Sequence, residues 1–162
     1  MTVVELRIPS WEEMAFRQEL LADPATMAYN AAWGGTIDFP PERWEAWYRR
    51  WVAQPEGERF YRYLWAPEEQ AFVGEAAWHL DRETGRVLAD VIVHSRYRGR
   101  DYGGAGLDLL CRAAREAGWA VLYDHIALDN QAAGMFLRRG FREESRDAEG
   151  VWLRKDLKEE TL

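Results

Sequence analysis

The sequence predicts an α/β protein of the α+β kind, one domain over residues 1–162, with a mixed, mostly antiparallel central sheet of about seven strands flanked by about four helices. Three observations carry that expectation. A length of 162 residues, 48% apolar and 30% charged, is one domain's worth of chain and enough for a single core. Three consecutive segments rich in β-branched and aromatic residues are joined by short turns and read as an antiparallel meander. After them a glycine-rich turn opens an amphipathic helix, and strand and helix patterns alternate to the end.

Taken in order, VVELRI (3–8) alternates as a strand does. SWEEMAFRQELLAD (10–23) begins a helix, with Ser10 three residues before Glu13, the spacing of a capping box. YNAAWGGTIDFPP (29–41) is polar and glycine-bearing and reads as a loop. In ERWEAWYRRWV (42–52), Trp44, Trp47, Tyr48 and Trp51 follow the i, i+3, i+4, i+7 spacing of a helix stripe facing the core. RFYRYLWA (59–66), FVGEAAWHL (72–80) and RVLADVIVHS (86–95) form the meander, turned by PEEQA and DRETG. Leu107, Leu110, Cys111, Ala114 and Ala117 then mark one face of a helix that ends at Gly118, where a glycine suits a left-handed cap. WAVLYDHIAL (119–128), NQAAGMFLRRG (130–140), FREES (141–145) and VWLRKDL (151–157) read as strand, helix, strand and strand, the last two joined by a turn at DAEG. No repeat, low-complexity tract or linker divides the chain.

Composition narrows the function. A net charge of −7 disfavours a nucleic-acid partner, which needs a basic face against phosphates, and favours cationic small molecules or peptides. No apolar run approaches a membrane span, and the acidic start MTVVELRIPSWEE is unlike a signal peptide, so a cytoplasmic location and no membrane partner are expected. The single cysteine, Cys111, lies on an apolar helix stripe and reads as a structural thiol rather than a nucleophile. His79, His94 and His125 have no metal-ligand spacing, and no metal is expected. A homodimer is one assembly the sequence leaves open.

The stretch HSRYRGRDYGGAGLDLL (94–110) carries the clearest chemistry. A helix start exposes about four unpaired N–H groups and the positive end of the helix dipole. Gly99, Gly103 and Gly104 let an anion approach the backbone, while Arg98 and Arg100 add charge. The stretch fits a phosphate or pyrophosphate, yet matches neither GxxxxGK[ST] nor GxGxxG.

On these residues the chain resembles the GCN5-related N-acetyltransferases (GNAT), in which the corresponding turn carries [QR]-x-x-G-x-[GA] and wraps the pyrophosphate of acetyl-CoA. Arg98-Gly99-Arg100-Asp101-Tyr102-Gly103 fills that motif, and LDNQAAGMFLRRGF resembles a second family segment through Asn130, Gly140 and Phe141. The resemblance implies a GNAT-type sheet whose central strands part at one end. It also implies acetyl-CoA as co-substrate, with its pantetheine arm against backbone groups around Ile92 and Val93, and direct attack by a primary amine on the thioester. Asn130 and Phe136 would complete the cofactor site.

Two residues depart from the family pattern. Asp101 replaces the first motif glycine, where it would repel a pyrophosphate, cap the helix in its place, or face solvent to no effect. Phe136 stands where many members carry the tyrosine that protonates the leaving thiolate, which leaves Tyr123 and His125 as substitutes, or an unassisted thiolate. For the base, Asp90 shares a strand face with Ile92 and His94, and Glu75 shares one with His79. For the acceptor, Tyr29, Trp33 and Asp38 are suited to a cation. The expected function is therefore N-acetylation of a small cationic amine, with a peptide or protein amine behind it. A non-catalytic acyl-CoA-binding or sensing domain is the alternative.

Overall fold

The computed structural model describes residues 2–158. Seven strands, β1 (Glu5–Arg7), β2 (Arg59–Ala66), β3 (Ala71–Asp81), β4 (Arg86–Val93), β5 (Val121–Ala127), β6 (Arg142–Arg146) and β7 (Gly150–Asp156), form one sheet in the order β1-β2-β3-β4-β5-β7-β6. Every neighbouring pair is antiparallel except β4 and β5, which run parallel and register at one pair only, Leu88 with Tyr123. The crossover between them is α3 (Tyr102–Glu116), as a parallel pair requires. The remaining helices are α1 (Met14–Ala22), α2 (Trp44–Tyr48) and α4 (Ala133–Arg138).

Period-two alternation divides the sheet into two faces. Ala76 and Trp78 of β3 and Leu122 and Ile126 of β5 point to α3 and α4, where Leu107, Leu110 and Phe136 meet them. On the other face the register Tyr63↔Glu75↔Ile92 and Tyr61↔Ala77↔Asp90 aligns polar and aromatic side chains across three strands, under α1 and α2. The β3–β4 register thus joins the two predicted sets, Glu75 with His79 and Asp90 with Ile92, on one surface.

The predicted boundaries hold with local changes. The Ser10 N–H donates to Glu13 Oε1 at 2.9 Å, the capping-box contact, though the first turn is a 3-10 turn over Trp11–Glu13 and α1 proper starts at Met14. The tryptophan stripe faces the core but is only half-buried, and its helix widens into a π turn over Arg49–Ala53. The Trp47 and Trp51 rings both contact Tyr61, at 4.6 and 6.4 Å between centroids. Ala117, expected on the buried face of α3, is exposed because the helix ends at Glu116; Gly118 follows in the left-handed region at φ +100°. The predicted loop at 29–41 is partly helical: a 3-10 helix runs over Thr26–Trp33 and stops at Gly34, φ +114°. No helix among the described residues is long and apolar enough to cross a membrane.

Candidate active site

Past the Leu88–Tyr123 pair, β4 and β5 separate. From Asp90 to Val93 the β5-facing edge of β4 has no ladder partner, and a cleft of about 990 Å³ opens between the strands. The 3-10 helix over Thr26–Trp33 forms one wall and the start of α3 another. A polar knot ties the first of these walls to the turn that follows β4. Asp23 Oδ2 accepts from the Thr26 hydroxyl at 2.5 Å and from the Ser95 hydroxyl at 2.8 Å, and the Ser95 N–H donates to Thr26 Oγ1 at 2.9 Å. These hydrogen bonds hold the Asp23 carboxyl down at about 2.

At the α3 end the cleft is lined by Arg98, Gly99, Asp101, Tyr102, Gly103 and Gly104, and nearby by Ile92, Val93, Asn130 and Phe136. Nearly all the predicted cofactor residues are therefore together. The exception is Arg100, which turns away to pair with Glu69; the Tyr102 hydroxyl donates to the same carboxylate at 2.8 Å. Arg98 faces the cleft, but its guanidinium donates to Ala25 O at 3.1 Å and Thr26 O at 2.7 Å. The anion-binding element is thus the backbone of the turn and the first turn of a 15-residue helix, not a pair of free arginines.

Asp101 occupies the motif's glycine position at φ +62°, which explains why glycine suits it. Its side chain neither caps α3 nor faces solvent unpaired. It forms an ion pair with Arg139, which also reaches Asp108 Oδ2 at 2.6 Å. Gly103 is needed for packing as well as access: a Cβ there would lie 3.0 Å from Met135 Sδ and 3.4 Å from Val93 Cγ2. Asn130 shapes the turn before α4, its Oδ1 accepting from the Ala132 N–H at 2.8 Å. Phe136 is 2% exposed and meets Phe141 edge-on at 5.0 Å.

The opposite end of the cleft holds carboxylates. Asp90 is exposed, and it lines the cleft. Desolvation first, and the charge of Glu75 second, push it up to about 7 against the opposing pull of Arg17. Glu75 itself does not line the cleft. At 2% exposure it accepts from the Tyr61 hydroxyl, and Arg17 Nε lies 3.4 Å away. The Arg17 guanidinium is held between Phe39 and Trp47, at 4.6 and 4.3 Å from their ring centres. Glu75 is therefore an enclosed group acting on Asp90 through space, not a base that an acceptor can reach.

Tyr123 also leaves the candidate set. It sits at the one β4–β5 register pair, before the gap, with Arg86 over its ring at 4.4 Å and Arg154 donating to its hydroxyl at 3.2 Å. His125, two residues further, does line the cleft. Its ring stacks on Trp152 at 4.6 Å and faces Trp33 at 6.1 Å, and its Nε2 is buried without a hydrogen-bond partner. Tyr29 and Trp33 line the cleft as expected, whereas Asp38 is exposed and outside it, with Ile37 taking the wall position. Burial and the charges of Asp90, Glu75 and Asp124 push the Tyr29 hydroxyl far up, so it stays protonated. His94 and His79 are structural. His94 Nδ1 accepts from the Arg96 N–H at 3.2 Å, and His79 packs edge-on to Trp51 at 5.9 Å.

Asp124 is the residue that sequence reasoning missed. Alternation places it on the same face as buried Leu122 and Ile126, where an apolar residue is expected, but the departure of β4 leaves that position opening into the cleft. Desolvation and Asp90 push its carboxyl well up. An aspartate between two apolar neighbours at i−2 and i+2 was the available signal.

Solved structures with this architecture are numerous. The yncA protein from Salmonella typhimurium, determined with its cofactor acetyl-CoA, is similar at a TM-score of 0.74 and 20% identity over 98% of this chain and 96% of that one. A ribosomal-protein-alanine N-acetyltransferase from Brucella melitensis gives 0.73 and 21% over 94% and 99%. The PaiA N-acetyltransferase of Thermoplasma acidophilum, in complex with coenzyme A, gives 0.70 and 13% over 95% and 99%. No curated protein sequence matches the chain significantly. The family model for the GNAT acetyltransferases matches residues 15–141, which span the glycine turn, the parted strands and the Gly-Phe segment: the chain belongs to the acetyltransferase (GNAT) family.

Proposed function

We propose that the protein is an acetyl-CoA-dependent N-acetyltransferase acting on a primary amine by direct attack. Asp90 carries the reading: a carboxylate raised to about 7 by its surroundings, open to the same cleft as the glycine turn. The cofactor fits the residues present. Gly103 and Gly104 open the α3 N-terminus to a pyrophosphate, and the unpaired β4 edge over Asp90–Val93 offers backbone groups to an amide-bearing arm. Bound acetyl-CoA would supply an activated acetyl thioester in the gap.

Asp90 takes the proton of the incoming ammonium. Near neutral pH it is matched to that task, being partly ionised and still basic enough to accept. Phe136 has no proton to give and Tyr123 lies outside the cleft, while His125 lines it, so in this reading the thiolate takes its proton from His125 or leaves unassisted and is protonated by water. Phe136 also favours the second reading, an acyl-CoA-binding domain without catalysis. A thermal-shift titration with acetyl-CoA followed by a thiol-release screen across amines separates the two. Stabilisation with no thiol released by any amine would reject the transferase.

A further inference from the structure

We infer that the acceptor carries two cationic centres, one consumed in the reaction and one held by Asp124; the inference rests on the acetyltransfer reading above. Asp90 and Asp124 project into the gap from its two sides, one on each parted strand. Among the described residues no lysine or arginine lies within ion-pair distance of either, and Glu75 behind them is already occupied by Tyr61 and Arg17. Two carboxylates lining one gap without a cation in ion-pair reach are costly: desolvation is the first cause of the rise in both, joined by the charge of Glu75 at Asp90 and by that of Asp90 at Asp124. A monoamine would relieve one of them. A diamine relieves both, because the ammonium that does not react stays charged.

The walls around these groups suit such a guest. Trp33 is 49% exposed and lines the cleft together with Tyr29, so the second ammonium finds aromatic residues as well as a carboxylate. His125, sandwiched between Trp33 and Trp152, closes the floor at that point. The arrangement also disfavours a neutral or anionic acceptor, which would leave Asp124 desolvated and unpaired. Asp124 is thus a specificity-determining residue: it holds the non-reacting end and leaves the proton transfer to Asp90.

The experiment uses the whole chain and a series from 1,2-diaminoethane to 1,5-diaminopentane, with n-butylamine as the singly charged control. Thiol release is measured with acetyl-CoA, and binding is measured by calorimetry with coenzyme A present, which needs no turnover. At least one diamine is expected to bind ten or more times tighter than butylamine and to show a correspondingly lower KM. Asp124→Asn should erase that advantage, bringing diamine affinity and KM to within about threefold of butylamine's, with the coenzyme A affinity unchanged. Trp33→Ala, at an exposed position, should reduce the advantage in part. No diamine bound better than butylamine would overturn the inference, as would an Asp124→Asn variant that loses both amine classes equally in kcat. Diamine binding that depends on Asp124 with no thiol released would leave the dication site standing and remove the transferase reading instead.

Discussion

At one end of its cleft this protein presents backbone, at the other side chains. The α3 end is a contiguous run, 98–104, in which glycines and a helix start offer N–H groups; its arginines are turned to Glu69 and to the carbonyls of Ala25 and Thr26. The carboxylate end is assembled from distant segments: Tyr29 and Trp33 from a 3-10 helix, Asp90 from β4, and Asp124 and His125 from β5. In the proposed reaction the backbone end would take the pyrophosphate of the cofactor and the side-chain end the acceptor. If that division holds, damage at one end should leave the other end's ligand untouched.

The largest effect is expected at the side-chain end. Asp90→Asn should lower kcat/KM for the acceptor by about 100-fold or more, in the range for losing a positioned base, with acetyl-CoA affinity unchanged by calorimetry. In the parent, Asp90 holds its proton below about 7, so kcat/KM should rise with pH through that value and flatten above it. Stability should move the other way. The folded chain keeps a proton that the unfolded chain releases near 3.8, so this group's contribution to stability falls as the pH rises from about 4 to about 7. Asp90→Asn should therefore raise Tm at pH 8 and change it little at pH 4. A variant with normal turnover would remove Asp90 from the chemistry.

At the backbone end, Gly103→Val should weaken acetyl-CoA binding about tenfold or more, equivalent to about 1.4 kcal/mol, because a branched side chain would stand where phosphate approaches. It would also press on Met135 and Val93, so its Tm should be measured with its affinity. A folded variant with unchanged cofactor affinity would place the pyrophosphate elsewhere. A variant that lost acceptor affinity at saturating cofactor would break the division between the two ends.

The same contrast explains what was legible. The glycine turn, the capping box at Ser10 and Glu13, and the meander are local patterns, readable within a few residues. The cleft depends on where β4 and β5 part, which is a property of pairing between strands whose ends are separated by a whole helix. Alternation along β5 put Tyr123 and His125 on one face and Asp124 on the other. Only the single Leu88↔Tyr123 register shows that Tyr123 lies before the gap and Asp124 beside it. Glu75 was equally hidden, because its partners Tyr61 and Arg17 come from β2 and α1. Arg100 was misassigned for the same reason: Glu69, which claims it, lies in a turn 31 residues upstream.

Asp101 gives a finer test of the backbone end. Its carboxylate would repel a pyrophosphate, but Arg139 neutralises it, so Asp101→Asn alone should change acetyl-CoA affinity by less than about threefold. Arg139→Gln should weaken binding by about three- to tenfold, since it leaves Asp101 uncompensated at the mouth of the turn. Combining the two should restore much of the loss, a coupling that a double-mutant cycle measures directly. Additive effects would mean that Arg139 acts on the cofactor itself rather than through Asp101. Asp101→Gly should in addition raise Tm, because glycine adopts φ +62° without the cost an aspartate incurs.

The smallest effects separate two positions that look alike in sequence, each an aromatic residue near the leaving-group step. Tyr123 carries a hydroxyl but spends it on Arg154, outside the cleft, so Tyr123→Phe should leave kcat and KM within about twofold of the parent, far below the 100-fold lower bound for a lost acid. Its cost should appear only in Tm, through the lost hydrogen bond. Phe136 lines the cleft without a hydroxyl, and Phe136→Tyr adds one to a ring that is 2% exposed. If that hydroxyl emerges into the cleft toward the sulfur, turnover rises and the departing thiolate had been unassisted. If it stays within the packing against Phe141, the buried donor lowers Tm and turnover is unchanged. A large loss of turnover in Tyr123→Phe would contradict the geometry of β5, because it would require the side chain to leave Arg86 and Arg154 and cross to the gap during the reaction.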